Sequence, residues 1–316
     1  MTNDAQGAHA GTGMNTGRGA LPQEALLELT GAEACKFLQG QTTANFEDRE
    51  ALDVVPGAFC NVKGRVIVDF LALVVTQDRI ILRVSADLVD FITSHLAKYL
   101  MFSKAELQPR AHPPQGLMGS AAHAACDLST PPMSERAQEG AAGWVIGLDT
   151  EISLLIPDSD ANGSGADAAD DNEAFLRAWQ SAECSRGEAR IRASTSEKYL
   201  PQDVNYDLAG WVSFDKGCYT GQEIIARLHW RGKPKRRLYA ATTEGELPPG
   251  GTSLYTEDGG RCVGSVVNSA AGAQGISLLV ETTSDAAGGT LSLEHSDQSI
   301  AVAASPIQYT GTPDPG

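Results

Sequence analysis

The sequence has few cysteines, and their spacing matches no metal site or disulfide framework. The six cysteines are scattered along the chain, and no two of them form a C-x-x-C pair. This spacing predicts neither a set of disulfides nor a zinc or iron–sulfur ligand set, so no stably bound metal is expected. It favours a reducing compartment such as the cytosol. The positions are 35, 60, 126, 184, 218 and 262.

The chain also lacks a long apolar run and a targeting segment. No apolar stretch approaches the roughly 20 residues that a helix needs to cross a bilayer. The first twenty residues are rich in Gly, Ala and Thr, and Arg18 is their only basic side chain. They have neither the basic start and apolar core of a secretory signal nor the arginines of a transit peptide. We therefore interpret residues 1–20 as a disordered tail and expect a cytoplasmic protein.

Positive charge is scarce overall and is concentrated in one segment. The 24 Lys and Arg against 40 Asp and Glu give a formal net charge of −16, which argues against general electrostatic binding to nucleic acid or membrane. Residues 216–237, in contrast, contain a single acid, Glu223. Such a basic island favours a local anionic ligand, because focused fields steer such ligands. Its basic side chains are Lys216, Arg227, Arg231, Lys233, Lys235, Arg236 and Arg237.

Length and hydrophobic periodicity predict two or three domains of mixed α+β structure. Thr30 and Glu33 have capping-box spacing, which predicts a short helix over 30–40. Ser85 can cap a second helix over about 86–101. Between the two helices, short turns separate three apolar runs, which predicts an antiparallel meander over 54–60, 65–75 and 79–84.

The second half of the chain begins with irregular sequence and ends in short β runs. Residues 158–171 form an acidic low-complexity segment, predicted to be a flexible loop. Asn172 can then cap a helix that carries Trp179. From 237 to 309, five short β runs are interrupted by glycine, which favours a small closed β-barrel.

The most informative segment is residues 216–223, K-G-C-Y-T-G-Q-E, called the octet below. Thr220 and Glu223 again have capping-box spacing, which would place Cys218 just outside the positive end of a helix. Lys216 is the expected electrostatic partner of the cysteine. Both features favour the thiolate, the form that attacks electrophiles and binds metals. A lone cysteine is more often a small buried hydrophobe, but the octet as a whole favours a functional role.

The octet resembles the signature of the YgfZ family, folate-binding proteins related to the glycine cleavage T-protein (aminomethyltransferase). Four further blocks resemble family blocks in the same order, so the resemblance covers roughly 26–237. The octet is specific, whereas the other blocks are persuasive only together. They are F-L-Q-G-Q-T at 37–42, C-N-V-K-G-R-V-I-V-D-F at 60–70, L-P-Q-D-V-N at 200–205 and I-I-A-R-L-H-W-R-G-K-P-K-R at 224–236.

The resemblance implies an α+β protein of three domains in a ring around a central folate pocket, with a ferredoxin-like unit and a C-terminal β-barrel. Combined with the segmentation above, it predicts a split folate-binding domain, a meander-helix domain and the barrel. Their predicted limits are 21–50 plus about 110–230, 51–109, and 236–310.

Nine residues are candidates for the site. Cys218, Lys216 and Asp69 are the chemical candidates. Asp69 takes the place of the second acid of a pair that acts in T-protein relatives, although a carboxylate on the solvent face of a strand is equally common. Trp179 matches by position a family tryptophan that contacts folate, but packing of its helix on the core is slightly favoured. The folate-binding candidates are Trp179, Tyr219, Gln222, Lys63, Arg65 and Arg227.

The sequence departs from the T-protein pattern at two positions. Val68 replaces the first acid of the pair, and Ser185 stands where T-protein relatives use a pterin-binding glutamate, for which Glu183 is a substitute. The resemblance therefore implies first a tetrahydrofolate-binding accessory protein that supports iron–sulfur cluster assembly or repair in client enzymes, including tRNA-modifying enzymes. A tetrahydrofolate-dependent aminomethyltransferase or demethylase is the second hypothesis. Direct tRNA binding through 227–237 is the third, weakened by the acidic background.

Overall fold

The computed structural model describes residues 17–119, 135–158, 169–272, 275–294, 296, 298–307 and 309. It contains two five-stranded antiparallel sheets and one closed six-stranded barrel. No helix in these ranges is long and apolar enough to cross a membrane. Most of the predicted tail, 1–16, and most of the predicted acidic loop, 159–168, lie outside the described residues.

The first sheet joins the start of the chain to its middle. Its strand order is β1-β7-β10-β9-β8, with bounds Gly17–Ala20, Gln115–Met118, Ile152–Pro157, Gly143–Gly147 and Gln138–Gly140. Residues 17–20, which were predicted to be part of the tail, therefore form a strand. The reason is that their backbone pairs in register with 115–118, and the sequence alone does not reveal this pairing.

The second sheet contains the predicted meander. Its order is β3-β4-β5-β2-β6, with bounds Val54–Cys60, Val66–Thr76, Arg79–Ser85, Glu24–Thr30 and Glu106–Pro109. The meander over β3, β4 and β5 is confirmed. Strand β2, however, was assigned to the split domain, and it pairs instead with β5 and β6 inside this sheet. Leu26, Leu71 and Ile81 on one face and Leu27, Ile80 and Leu82 on the other are all buried, which explains the nearly continuous apolar strands.

Four helices of two turns or more lie wholly within the described residues. They are α1 (Ala34–Gln41), α2 (Val89–Leu100), α3 (Ala169–Ser185) and α4 (Gln222–Arg231). Two 3-10 turns, Ala86–Leu88 and Pro201–Val204, complete the helical structure of the described residues. Helix α3 begins at Ala169, within the predicted acidic loop, so Asn172 is not its N-cap.

The C-terminal barrel is closed, as predicted. Its order is β11-β14-β13-β12-β15-β16, and β16 pairs with β11 to complete the ring. The bounds are Arg236–Thr243, Gly275–Thr283, Cys262–Gly272, Ser253–Thr256, Thr290–Leu293 and Ser299–Val302. The α+β class with a terminal barrel is thus confirmed. Strand β12, residues 253–256, was not predicted.

Candidate functional site

The octet lies immediately before and at the start of α4. Cys218 is exposed, and Gly221 occupies the N-cap position with a left-handed backbone, φ 86°. The predicted capping box is therefore wrong: the helix begins one residue after Gly221, and no side chain caps it. The Thr220 hydroxyl instead lies 3.4 Å from the Gln41 side-chain oxygen at the end of α1.

The octet packs against the turn of residues 61–64. A Cβ added to Gly221 would lie 2.5 Å from the Asn61 carbonyl oxygen and 3.1 Å from the Gly64 Cα. Asn61 holds the turn by accepting the backbone N–H groups of Lys63 and Arg65 at 2.9 and 3.0 Å. Two blocks that are about 150 residues apart in the chain thus meet through backbone atoms, and we call this contact the octet junction.

Replacing Gly221 with alanine is expected to lower the free energy of unfolding by about 2–5 kcal/mol. The left-handed backbone costs an L-residue about 1–2 kcal/mol, and the overlap with the Asn61 carbonyl adds about 1–3 kcal/mol. Urea denaturation measures this loss. Gly217→Ala is the matched control, because nothing lies within 4 Å of its added Cβ. Equal stability of the two variants would contradict the proposed close approach.

Lys216 is not placed as the expected electrostatic partner of Cys218. Its buried ammonium group donates hydrogen bonds to the carbonyl oxygens of Thr42, at 2.8 Å, and Ala44. It also lies 5.0 Å from the centre of the Tyr219 ring. Burial lowers the pKa of Lys216 to about 8. The lysine therefore fastens the octet to the segment after α1, and the thiol of Cys218 remains on the surface.

The other predicted site residues near the octet differ in their burial and in their contacts. Tyr219 is buried, which raises the pKa of its hydroxyl, and Gln222 is half-buried at the start of α4. Lys63 and Arg227 are exposed. Arg65 is half-buried and donates to the carbonyl oxygen of Lys198 at 2.7 Å.

Trp179 lies in the core between α3 and the first sheet. It is fully buried, its ring stacks on Phe175 with centroids 6.2 Å apart, and it fills the space above Gly116. Of the two interpretations of this residue, packing of its helix is the one that the structure shows. Its indole N–H is buried without a hydrogen-bond partner.

Asp69 belongs to a buried charge cluster that is separate from the octet junction. It is fully buried on β4 and pairs with Arg190, and its other oxygen accepts the backbone N–H of Ile191 at 2.7 Å. Burial raises the pKa of Asp69, and Arg190 opposes that shift. Both carboxylate oxygens are therefore engaged within the protein.

Glu24 is the centre of this charge cluster. Its carboxylate is fully buried and contacts the guanidinium groups of Arg83, Arg190 and Arg192 at 3.2, 2.7 and 2.8 Å. Burial alone would raise the pKa of Glu24, but these arginines lower it to about 2. Glu24 on β2 and Arg83 on β5 belong to the second sheet, whereas Arg190 and Arg192 lie in the segment after α3. The cluster therefore joins the second sheet to the rest of the protein.

A small cavity of about 160 Å³ opens beside the cluster, between the end of α3, the following segment and barrel strand β13. We call it the central cavity. Burial raises the pKa of Glu183 in its wall, whereas Arg186 is the main group that counters burial at Glu188 and brings the pKa of that carboxyl to about 2. The cavity is lined by Gln180, Glu183, Cys184, Glu188, Arg190, Arg192, Ser194, Gly250, Val267, Asn268 and Ser269.

A second concavity, of about 610 Å³, lies where α4 and the basic island meet the barrel. We call it the basic groove. Glu281 is buried in the groove, and each of its two carboxylate oxygens accepts a hydrogen bond from Arg236 at 3.0 Å. Burial raises the pKa of Glu281 to about 7. The groove is lined by Arg65, Lys198, Tyr199, Leu200, Asp203, Leu228, Lys233, Lys235, Arg236, Ser265 and Glu281.

Sequence reasoning missed most of the charge cluster. Arg83 had the same signal as Asp69, a charged residue within an apolar strand, and Glu24 stands at the start of such a strand. Arg190 and Arg192 had no local signal, since their function depends on partners more than 100 residues away.

Comparison with known proteins identifies relatives of the chain. No family model matches it. It is 32% identical over 244 residues to the tRNA-modifying protein YgfZ of Yersinia pestis (strain Pestoides F), and the match covers 74% of both chains. The YgfZ protein of Yersinia enterocolitica is 30% identical over 230 residues, 70% of this chain and 69% of the relative.

The fold has a neighbour among solved structures. Glycine cleavage system aminomethyltransferase T from Bartonella henselae superposes with a TM-score of 0.71, and the match covers 92% of this chain and 85% of that one. At 14% sequence identity this likeness shows the T-protein fold and no more. The sequence relatives establish that the chain belongs to the YgfZ family.

Proposed function

We propose that this protein is a cytoplasmic, folate-binding accessory protein that supports iron–sulfur cluster assembly or repair in client enzymes, tRNA-modifying enzymes among them. Family membership and the name of the relatives, tRNA-modifying protein YgfZ, support the link to tRNA modification. The observation that carries the folate part is the central cavity, which places the buried carboxylate of Glu183 and the partly buried carboxylate of Glu188 where α3, the segment after it and barrel strand β13 meet.

The residues of the central cavity fit the pterin end of a folate. The edge of a pterin ring presents adjacent N–H donors, and a carboxylate such as Glu183 accepts such a pair in the way that it accepts the fork of an arginine. The N–H group at Arg190 Nε is buried without a partner in the same cluster, which leaves a donor for a ring oxygen. At about 160 Å³ the cavity is smaller than the ~300–1,000 Å³ of sites that enclose drug-sized ligands, so the rest of the folate would extend outside it.

In this arrangement Glu183 would hold the pterin edge, and Arg190 would fix its orientation. A bound tetrahydrofolate supplies a carrier for one-carbon units. The protein contributes a buried, charge-compensated wall that excludes water from one edge of the ring.

The octet junction provides the second part of the proposal, a contact point for a client or its cluster. Cys218 is exposed between two anchored residues, because Lys216 binds the Thr42 carbonyl oxygen and Gly221 packs against the Asn61 carbonyl oxygen. Within the described residues, no group of three or more His, Cys, Asp or Glu could hold a metal ion. A cluster at Cys218 would therefore be cargo whose other ligands come from the client or from a small thiol.

The two other hypotheses have less support from the geometry. In an aminomethyltransferase Asp69 would need a free oxygen to act on a substrate, and here Arg190 and the Ile191 amide take both oxygens. For tRNA binding through 227–237, Trp230 is 67% exposed and offers a stacking surface. Arg236 and Arg237, however, are paired with Glu281 and Asp207.

Equilibrium dialysis with tetrahydrofolate tests the folate part. We expect saturable binding of one equivalent, weakened at least about tenfold by Glu183→Gln, because the loss of a hydrogen bond to a charged group costs about 1.5–3 kcal/mol. Ser194→Trp, at an exposed position of the cavity wall, should block entry without disturbing the core.

Glu173→Gln is the matched control, since Glu173 is exposed on the same helix, α3. Circular dichroism melting shows that each variant is folded. Absence of saturable binding to the unmodified chain, or equal binding by all folded variants, would contradict the assignment of the cavity.

A further inference from the structure

The basic groove contains cations that the fold does not use. Lys198, Lys233 and Lys235 are exposed in its wall, and none of them forms an ion pair with another described residue. Arg65 and Arg236, in contrast, are held by Asp203 and Glu281. The three lysines therefore add positive charge to a preformed concavity without stabilising it.

The charge balance of the groove differs from that of the whole protein. Five cations and two carboxylates line it, whereas the chain has a net charge of −16. A concavity of one sign on a protein of the opposite sign concentrates the field and attracts counter-ions. Its volume, about 610 Å³, is also within the ~300–1,000 Å³ that small-molecule sites occupy.

We propose that the basic groove binds phosphate groups, carried either by a free oligophosphate or nucleotide or by the backbone of an RNA. Lysines act as point charges toward phosphate, and the guanidinium fork of Arg65 adds a directional donor. A ligand with several phosphates can pair with five cations spread around one groove, whereas a ligand with a single carboxylate cannot. Tyr199, Leu200 and Leu228 supply the less polar wall against which a sugar or base would lie.

Glu281 adjusts the charge of the groove. The groups that face it are Arg236, Asp203, Arg65 and the Tyr199 hydroxyl, and the three groove lysines line the same concavity. Burial raises the pKa of Glu281 to about 7, so below that pH the carboxyl becomes neutral and releases Arg236 from its ion pair. The groove is therefore more positive at lower pH, and an anion should bind more tightly there.

Isothermal titration calorimetry of the full chain at low salt tests the proposal with two probes, inorganic tripolyphosphate and hexauridylate without terminal phosphates. We expect saturable binding of at least one probe, weakened about tenfold or more by the double variant Lys233→Gln/Lys235→Gln. The matched control is Lys36→Gln/Lys104→Gln, which removes the same charge from exposed positions outside the groove and should change binding less than about twofold.

The probes also separate the two sources of phosphate. Tighter binding of tripolyphosphate assigns the groove to a free oligophosphate or nucleotide, and tighter binding of hexauridylate assigns it to RNA backbone. Hexauridylate phosphodiesters keep their charge from about pH 6 to about pH 8, so any loss of affinity over that range reports on the protein, and Glu281→Gln should remove it. Binding of neither probe, or equal loss in both double variants, would overturn the proposal. The proposed folate function does not enter this test.

Discussion

Replacing Glu24 with glutamine should lower the free energy of unfolding by about 3–5 kcal/mol. The carboxylate contacts Arg83, Arg190 and Arg192, and the first two guanidinium groups are almost fully buried. Glutamine keeps the size of the side chain but removes the negative charge, so buried positive charges lose their compensation. Urea denaturation near neutral pH, followed by far-ultraviolet circular dichroism, measures the loss.

The difference between the wild type and Glu24→Gln should also depend on pH. The pKa of Glu24 is about 2 in the folded protein, against an ordinary value of 4.5. A lowered pKa means that the carboxylate stabilises the fold above about pH 4.5 and that this contribution disappears as the pH falls toward 2. The two proteins should therefore approach each other in stability across that window.

Glu28→Gln is the matched control, because Glu28 is on the same strand and pairs with Arg79 at a partly exposed position. Pairs of this kind contribute about 0–1 kcal/mol. A loss for Glu24→Gln no larger than that of the control would show that the charge cluster does not hold the second sheet to the rest of the protein.

Local patterns in the sequence were sufficient for the elements with strong periodicity. The meander of β3, β4 and β5 could be predicted because each apolar run is bounded by a short turn. The barrel could be predicted from the alternation of short β runs and glycines, although this pattern did not reveal β12. These are features in which neighbours in sequence are neighbours in space.

Local sequence patterns could not predict which strands or charged side chains pair when they lie far apart in the chain. Strand β2 pairs with β5 and β6, and the sequence around residues 24–30 does not specify those partners. Asp69 was identified as unusual because it interrupts an apolar strand, but its partner Arg190 lies 121 residues away. A charge in a strand thus predicts that a partner exists without identifying it.

The octet shows both the strength and the limit of motif reasoning. Its resemblance to a family signature led to the family that the relatives establish. Its capping chemistry was misread, since Gly221 rather than Thr220 precedes the helix. Lys216 was expected beside the thiol and instead binds two backbone carbonyls, which a sequence cannot reveal because those carbonyls belong to residues 42 and 44.

Replacing Cys218 with alanine should abolish the support of iron–sulfur enzymes while leaving the protein folded. The side chain is exposed and is not part of a core cluster, so stability should change by less than about 0.5 kcal/mol. Tetrahydrofolate binding should also persist, because Cys218 is not among the residues that line the central cavity. Under the proposed function, only the transfer of a cluster, or contact with a client, requires the sulfur atom.

Cys262→Ala is the matched control, since Cys262 is another exposed cysteine and lies on the barrel away from the octet. It should support the client enzymes as well as the wild type does. An equal defect in both variants would indicate a general requirement for surface thiols and would remove the special role of the octet.

The most direct test is the activity of an iron–sulfur tRNA-modifying enzyme in cells that lack their own YgfZ protein and are supplied with this chain. The proposed function predicts that the wild type and Cys262→Ala restore the activity and that folded, folate-binding Cys218→Ala does not. Failure of the wild type to restore it, or full restoration by Cys218→Ala, would contradict the proposed function.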